Sequence, residues 1–195
     1  MSSSGEDFVI TRGWRSYGAL DTCASQNIRN AKNAGIKYVD IYMFPCRGQS
    51  ASSQVKSMIN GISSELGEEV FEDGREMLES SYGMVWLDIE INPSGGCGWG
   101  TDYSANCQYV GELISAVKSY GKKVGVYTSE YEWETVMGSR TACTGYSSVP
   151  LWYAHYDNSP SFSDYRQIGG WSSPSIKQYK GDTSECGVGI DRNYY

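Results

Sequence analysis

Histidine is nearly missing from this chain: His155 is the only one in 195 residues. A multi-histidine metal site is therefore excluded, and a Ser–His or Cys–His nucleophile would have a single base available. Basic runs are missing too. Lys plus Arg number 16 against 23 Asp plus Glu, and the formal net charge is −7, which makes nucleic acid and anionic membrane poor partners. No apolar stretch is long enough for a transmembrane helix, and none follows the polar, acidic segment 1–7 as the core of a signal peptide. There is no Walker loop, and Gly95-Gly96-Cys97-Gly98 has neither the spacing nor the acidic partner of a dinucleotide fingerprint. No cofactor and no metal are expected.

What is present is aromatic and thiol chemistry. With 16 Tyr and 6 Trp the chain can line a sugar-binding groove, and the same rings fill cores. Six cysteines, Cys23, Cys46, Cys97, Cys107, Cys143 and Cys186, form no C-x-x-C pair, which disfavours zinc and thioredoxin-like sites. Disulfides are the expectation, with the pairing open; Cys97 and Cys107 bracket a Gly-rich loop and could close it locally.

The pattern along the chain is strand then helix, repeated. Phe8–Thr11 reads as a strand, Asp21 or Thr22 as the cap of a helix carrying Ile28, Ala31 and Ala34, and Tyr38–Phe44 as the next strand. From Ser52, Val55, Met58, Ile59, Ile62 and Leu66 keep helical spacing. Met84–Glu90, Val124–Tyr127, Leu151–Tyr156, Ile176–Tyr179 and Val188–Ile190 read as strands, with helices over Val110–Val117 and Glu130–Met137 between them. A single domain over 1–195 is implied, with 1–7 flexible and 67–80 an acidic surface excursion. Its class is α/β, most simply a parallel barrel whose last third has lost its helices.

In such a fold, acids at the carboxyl ends of strands rank above acids on helices. Asp88 and Glu90 stand two apart on a strand, so both project from one face, roughly 6–7 Å apart at Cα. Two like charges beside Val85, Trp86 and Leu87 raise at least one pKa, as general acid catalysis requires. The structural alternative is that both point into solvent or that one pairs with a base. Asp191, after the last strand, is a third candidate, with a turn or surface role as its alternative. Asp40 would pair with Arg12 or Lys37, and His155 would be a core histidine bonded within its strand.

Five segments together carry a resemblance: Val85-Trp86-Leu87-Asp88-Ile89-Glu90, Gly125-Val126-Tyr127-Thr128-Ser129, Leu151-Trp152-Tyr153-Ala154, Gln178-Tyr179, and Gly189-Ile190-Asp191-Arg192-Asn193. They resemble the Ch-type lysozymes of glycoside hydrolase family 25 over nearly all of residues 8–195. The run Tyr38–Cys46 is similar to the disulfide-bearing eukaryotic branch. The resemblance implies a TIM-like (β/α)5(β)3 barrel and hydrolysis of the β-1,4 bond between N-acetylmuramic acid and N-acetylglucosamine in peptidoglycan. It implies Glu90 as general acid/base, Asp88 as nucleophile or as the group that orients the substrate acetamido, and Asp191 as a supporting aspartate. Tyr42, Tyr127, Trp152 and Gln178 would line the sugar subsites. Met43 stands where the family often has histidine. Family members begin with a strand ending in an Asp-x-Ser-like motif upstream of Phe8–Thr11, so this chain is expected to lack that first strand and its aspartate. A monomer acting on peptidoglycan, secreted or in a lysosome or phagosome, is expected. The alternatives are an impaired glycan-binding relative and a glycosidase of chitin-type polymers.

Overall fold

The β-branched runs and helical stripes become one continuous β/α succession in the computed structural model, which describes residues 7–71, 80–185 and 187–195. In chain order the elements are β1 (Phe8–Arg15), β2 (Ala19–Leu20), α1 (Ala24–Asn33), β3 (Tyr38–Met43), α2 (Ala51–Leu66), β4 (Met84–Asp88) and α3 (Tyr103–Ser119). β5 (Lys123–Ser129), α4 (Glu130–Met137), β6 (Leu151–Ala154), β7 (Ile176–Glu185) and β8 (Val188–Tyr194) complete them. The strands form one sheet in the order β2-β1-β3-β4-β5-β6-β7-β8. Ladders from β1 through β7 are parallel, while β1–β2 and β7–β8 are antiparallel. The architecture is a mixed α/β curled half-barrel, with helices on its outer face.

Strand alternation sorts the side chains between two cores. Val39, Ile41, Met43, Val85, Leu87, Val124, Val126 and Leu151 face outward and bury against the helices, meeting Val55, Met58, Ile59 and Ile62 of α2 and Val110, Leu113 and Val117 of α3. The residues between them face the concave side, where Trp86, Tyr127 and Trp152 form a second, smaller cluster with Ile10, Tyr42 and Ile176 around it. Gly125 is required here, because a Cβ on it would stand 2.4 Å from the Trp86 ring.

Helix ends follow local chemistry, with one departure from the expected capping. Ser50, Asp102 and Ser129 cap α2, α3 and α4 by accepting amide hydrogen bonds, and Gly138 ends α4 in the left-handed region at φ 79°. At α1 the N-cap is Cys23 without a side-chain cap bond; Asp21 instead accepts from the Cys23 amide while holding Arg12 and Arg15. The two arginines occupy the carboxylate that was expected to act as the cap.

Two disulfides join distant segments. Cys46 pairs with Cys97 and Cys107 with Cys143, whereas Cys23 is free and exposed. The local Cys97–Cys107 closure does not form: Cys107 lies inside α3, on the turn that faces the segment after α4, and Cys97 turns back to Cys46. Cys186, segment 1–6 and 72–79 of the acidic stretch lie outside the described residues. Among the described residues no ladder joins β8 to β1. Phe8 and Tyr195 meet there edge to face at 5.4 Å, Tyr195 donates to Asp7, and a cavity of about 1060 Å³ opens between the two strands.

Candidate active site

The inward-facing acids converge where β4 ends. Asp88 is the last residue of that strand and is 5% exposed; Glu90, two residues on, is half-buried on the same side. The backbone carrying them is tied on every side. The Ile89 amide donates to the Tyr127 carbonyl and Thr128 Oγ1 donates to the Ile89 carbonyl. Trp99 Nε1 donates to the Glu90 carbonyl at 2.7 Å, and the Ile91 amide donates to Glu132 Oε2 at 2.7 Å.

The two carboxyls act on one another. Burial, then the Glu90 charge, the hydrogen bond to Glu90 and the Glu132 charge hold the Asp88 proton well above the usual carboxylate range. Burial raises Glu90 as well, against the hydrogen bond from Asp88, with Glu132 adding to the rise. No described protein donor reaches the buried Asp88 Oδ1, which adds to the cost of its charged form. Because each carboxyl acts on the other, the two titrate as a pair.

Around the pair lies a wall of rings and amides. Tyr127 and Tyr156 both donate to Gln178 Oε1, at 2.6 and 2.7 Å. Gln178 Nε2 donates to Asp191 Oδ2, and Asp191 Oδ1 accepts from the Asp182 amide at 2.9 Å. Trp152 packs on Tyr127 at 4.4 Å and on Trp86 at 5.8 Å, and its Nε1 donates to Asn193. Tyr42 lies between Arg12 and Asp88, and burial pushes its phenol up. Tyr42, Trp152, Gln178 and Asp191 also line the large cavity.

All seven residues singled out from sequence therefore lie on this concave face. Asp88 and Glu90 touch, whereas Asp191 reaches Tyr127 only through Gln178. Two other expectations are corrected. Asp40 pairs with neither Arg12 nor Lys37: it accepts from the Met84 amide and from Trp86 Nε1, fixing the Trp86 ring. Arg12 is taken by Asp21. His155 is not a core residue, because β6 ends before it. Its side chain is 58% exposed, with Nδ1 2.6 Å from Asp164. Asp157 and Asp164 stand with His155 as a potential cation cluster, but the buried Lys177 ammonium already sits on both carboxylates at 2.8 and 2.7 Å.

Sequence reasoning missed Tyr156, Trp99 and Glu132. Tyr156 carried a faint signal, standing just past a strand end. Trp99 lies in a glycine-rich loop and Glu132 on a helix, where acids rank low as catalytic candidates.

The family described as Lysozyme-like protein 1 matches residues 1–179. The chain is 40% identical over 196 residues to probable GH family 25 lysozyme 2 of Dictyostelium discoideum, covering all of this chain and 82% of that one. Its fold superposes on the lysozyme from Streptomyces coelicolor with a TM-score of 0.76 at 23% identity, covering 99% and 82% of the two chains. A muramidase from Acremonium alcalophilum superposes with a TM-score of 0.73 at 19% identity, covering 99% and 84%.

Proposed function

The chain belongs to the glycoside hydrolase family 25 lysozymes, and from that premise we propose that it is an N-acetylmuramidase, cleaving the β-1,4 bond between N-acetylmuramic acid and N-acetylglucosamine of peptidoglycan. The observation that carries the reading is the placing of two carboxyls, Asp88 and Glu90, at the end of β4, beside the ring-lined wall of Tyr127, Trp152 and Tyr42.

Glu90 is the more accessible carboxyl and acts as the general acid. Its proton passes to the glycosidic oxygen as the bond to the anomeric carbon breaks. Burial, with the Glu132 charge adding to it, raises the Glu90 carboxyl above its ordinary value and so favours the protonated acid. Asp88, buried beside Glu90 and with no described protein donor on Oδ1, is the group that orients the substrate's 2-acetamido N–H, so that the acetamido oxygen attacks the anomeric carbon. Glu90, now a carboxylate, then takes a proton from the water that opens the cyclic intermediate, and the anomeric configuration is retained.

Gln178 and Asp191 hold the Tyr127 and Tyr156 hydroxyls in place and so position the wall rather than entering the chemistry. The two disulfides support an oxidising location, secreted or lysosomal and phagosomal. The test is reducing-sugar release from purified peptidoglycan across acidic to neutral pH. Glu90→Gln is expected to lower the rate by about 10²–10⁴-fold while preserving the fold. An unchanged rate would remove Glu90 from the mechanism. Binding of glycan without cleavage by the parent chain would make it an impaired relative, and equal cleavage of chitooligosaccharides would broaden the substrate.

A further inference from the structure

Helix α4 opens with two acids, Glu130 and Glu132, and their surroundings differ. Glu130 is met by Arg140 at 3.5 Å and by Arg166 at 3.1 Å, so its charge is answered by two guanidinium groups. Glu132, two residues on, has no cation partner among the described residues. Its backbone amide is held by the Ser129 hydroxyl, which fixes the first turn of the helix, and its Oε2 accepts the Ile91 amide. Ile91 directly follows Glu90. The carboxylate thus grips the chain one residue beyond the proposed acid and adds negative charge to the surroundings of both members of the carboxyl pair.

We propose that Glu132 is a positioning residue of the reaction: it clamps the backbone that aims Glu90 and, as a carboxylate with no cation partner among the described residues, places a negative charge beside the Asp88–Glu90 pair. This deepens the muramidase reading and rests on it. Two separable jobs are implied. The clamp needs an oxygen acceptor for the Ile91 amide; the field at the pair needs a negative charge.

The other groups facing the pair do not supply that charge. From β5 comes the Tyr127 phenol and from the segment after β6 the Tyr156 phenol, both with pKa values raised by burial and both donating to Gln178. From β3 comes Tyr42, with Arg12 of β1 behind it, a positive group that opposes protonation and is itself offset by Asp21. Asp191 of β8 lies beyond Tyr156 and Gln178. Glu132 is thus the acid outside the pair that acts on both of its members.

The two jobs are separated by two variants. Glu132→Gln keeps a side-chain oxygen for the Ile91 amide and removes the charge. It is expected to shift the alkaline limb of the kcat/KM profile toward lower pH by about half a unit. Glu132→Ala removes both, and is expected to show the same shift plus a loss of about tenfold in kcat with KM nearly unchanged. A side-chain carboxyl titration by NMR reads the same shift on Glu90 without substrate. Unshifted limbs and an unshifted Glu90 titration in both variants would overturn the proposal, as would equal losses in the two variants without any shift. If Glu90→Gln retains activity, the acid–base reading itself fails; if Glu90→Gln is inactive while Glu132→Gln is unshifted, only this inference fails.

Discussion

At the scale of single residues, the site depends on polar side chains that have few substitutes. Gln178 is the hinge of one such set: its single amide oxygen accepts two tyrosine hydroxyls, and its nitrogen reaches Asp191. Tyr127 is buried, and its hydroxyl donates to Gln178 Oε1 at 2.6 Å. Gln178→Leu keeps the volume and strands that hydroxyl. We expect a loss of about 2 kcal/mol in unfolding free energy by urea titration, together with a lower rate on peptidoglycan, since the Tyr127 ring loses its orientation. An unchanged midpoint would mean that Tyr127 finds another acceptor. Asp88 and Glu90 were legible as a pair because period-two geometry puts residues two apart on one face. The size of their environment's effect was not, since the rise of both carboxyls depends on how deeply the strand end is buried and on Glu132 arriving from a helix.

At the scale of elements, short strands are held by the segments that succeed them in the chain. The segment after β6 is bound to β7 by Lys177, whose side chain is 0% exposed and whose ammonium meets Asp157 and Asp164, the latter also accepting from Tyr153 and facing His155. Removing the cation leaves two carboxylates close together. Because both are partly in water, Lys177→Met is expected to cost about 2 kcal/mol in thermal or denaturant unfolding, below the usual penalty for breaking a fully buried pair. Burial raises the Asp164 carboxyl, but bonds from Lys177, His155 and Tyr153 outweigh it and lower it to about 2. A depressed carboxylate stabilises the fold above its ordinary value near 4 and loses that contribution as pH falls toward 2. The parent chain should therefore lose stability through that window, and Asp164→Asn should flatten the loss. Little of this was readable from the chain alone: His155 looked like a strand residue because the apolar run continues through it, and the alternation does not mark where pairing stops.

At the scale of the whole molecule, the sheet curls without closing among the described residues. β4 and β5 are paired on both edges, whereas β1 beyond its short contact with β2, and β8 on its outer edge, face the cavity. Unpaired strand edges open at low free-energy cost. Hydrogen exchange is expected to be faster for edge-facing amides of Phe8–Thr11 and Val188–Ile190 than for Val85–Leu87 and Val124–Val126. Uniform protection across the sheet would mean that the seam is covered in solution. The α/β class and the order of strands and helices came from apolar periodicity, which acts locally and survives in the linear chain. The extent of closure did not, because it depends on which edges meet.

The sequence by itself determined the helix and strand faces, the acidic pair at the end of β4 and the expectation that cysteines form disulfides. These rest on spacing and composition, which are properties of the chain taken in order. Only the tertiary structure decided that Cys46 finds Cys97, that Asp40 holds Trp86 rather than an arginine, that Lys177 fills the acidic corner beside His155, and that Glu132 reaches the Ile91 amide. Each is a contact between residues at least 13 positions apart in the numbering. Such pairings are set by the packing of helices against a curved sheet and leave no periodic trace in the chain.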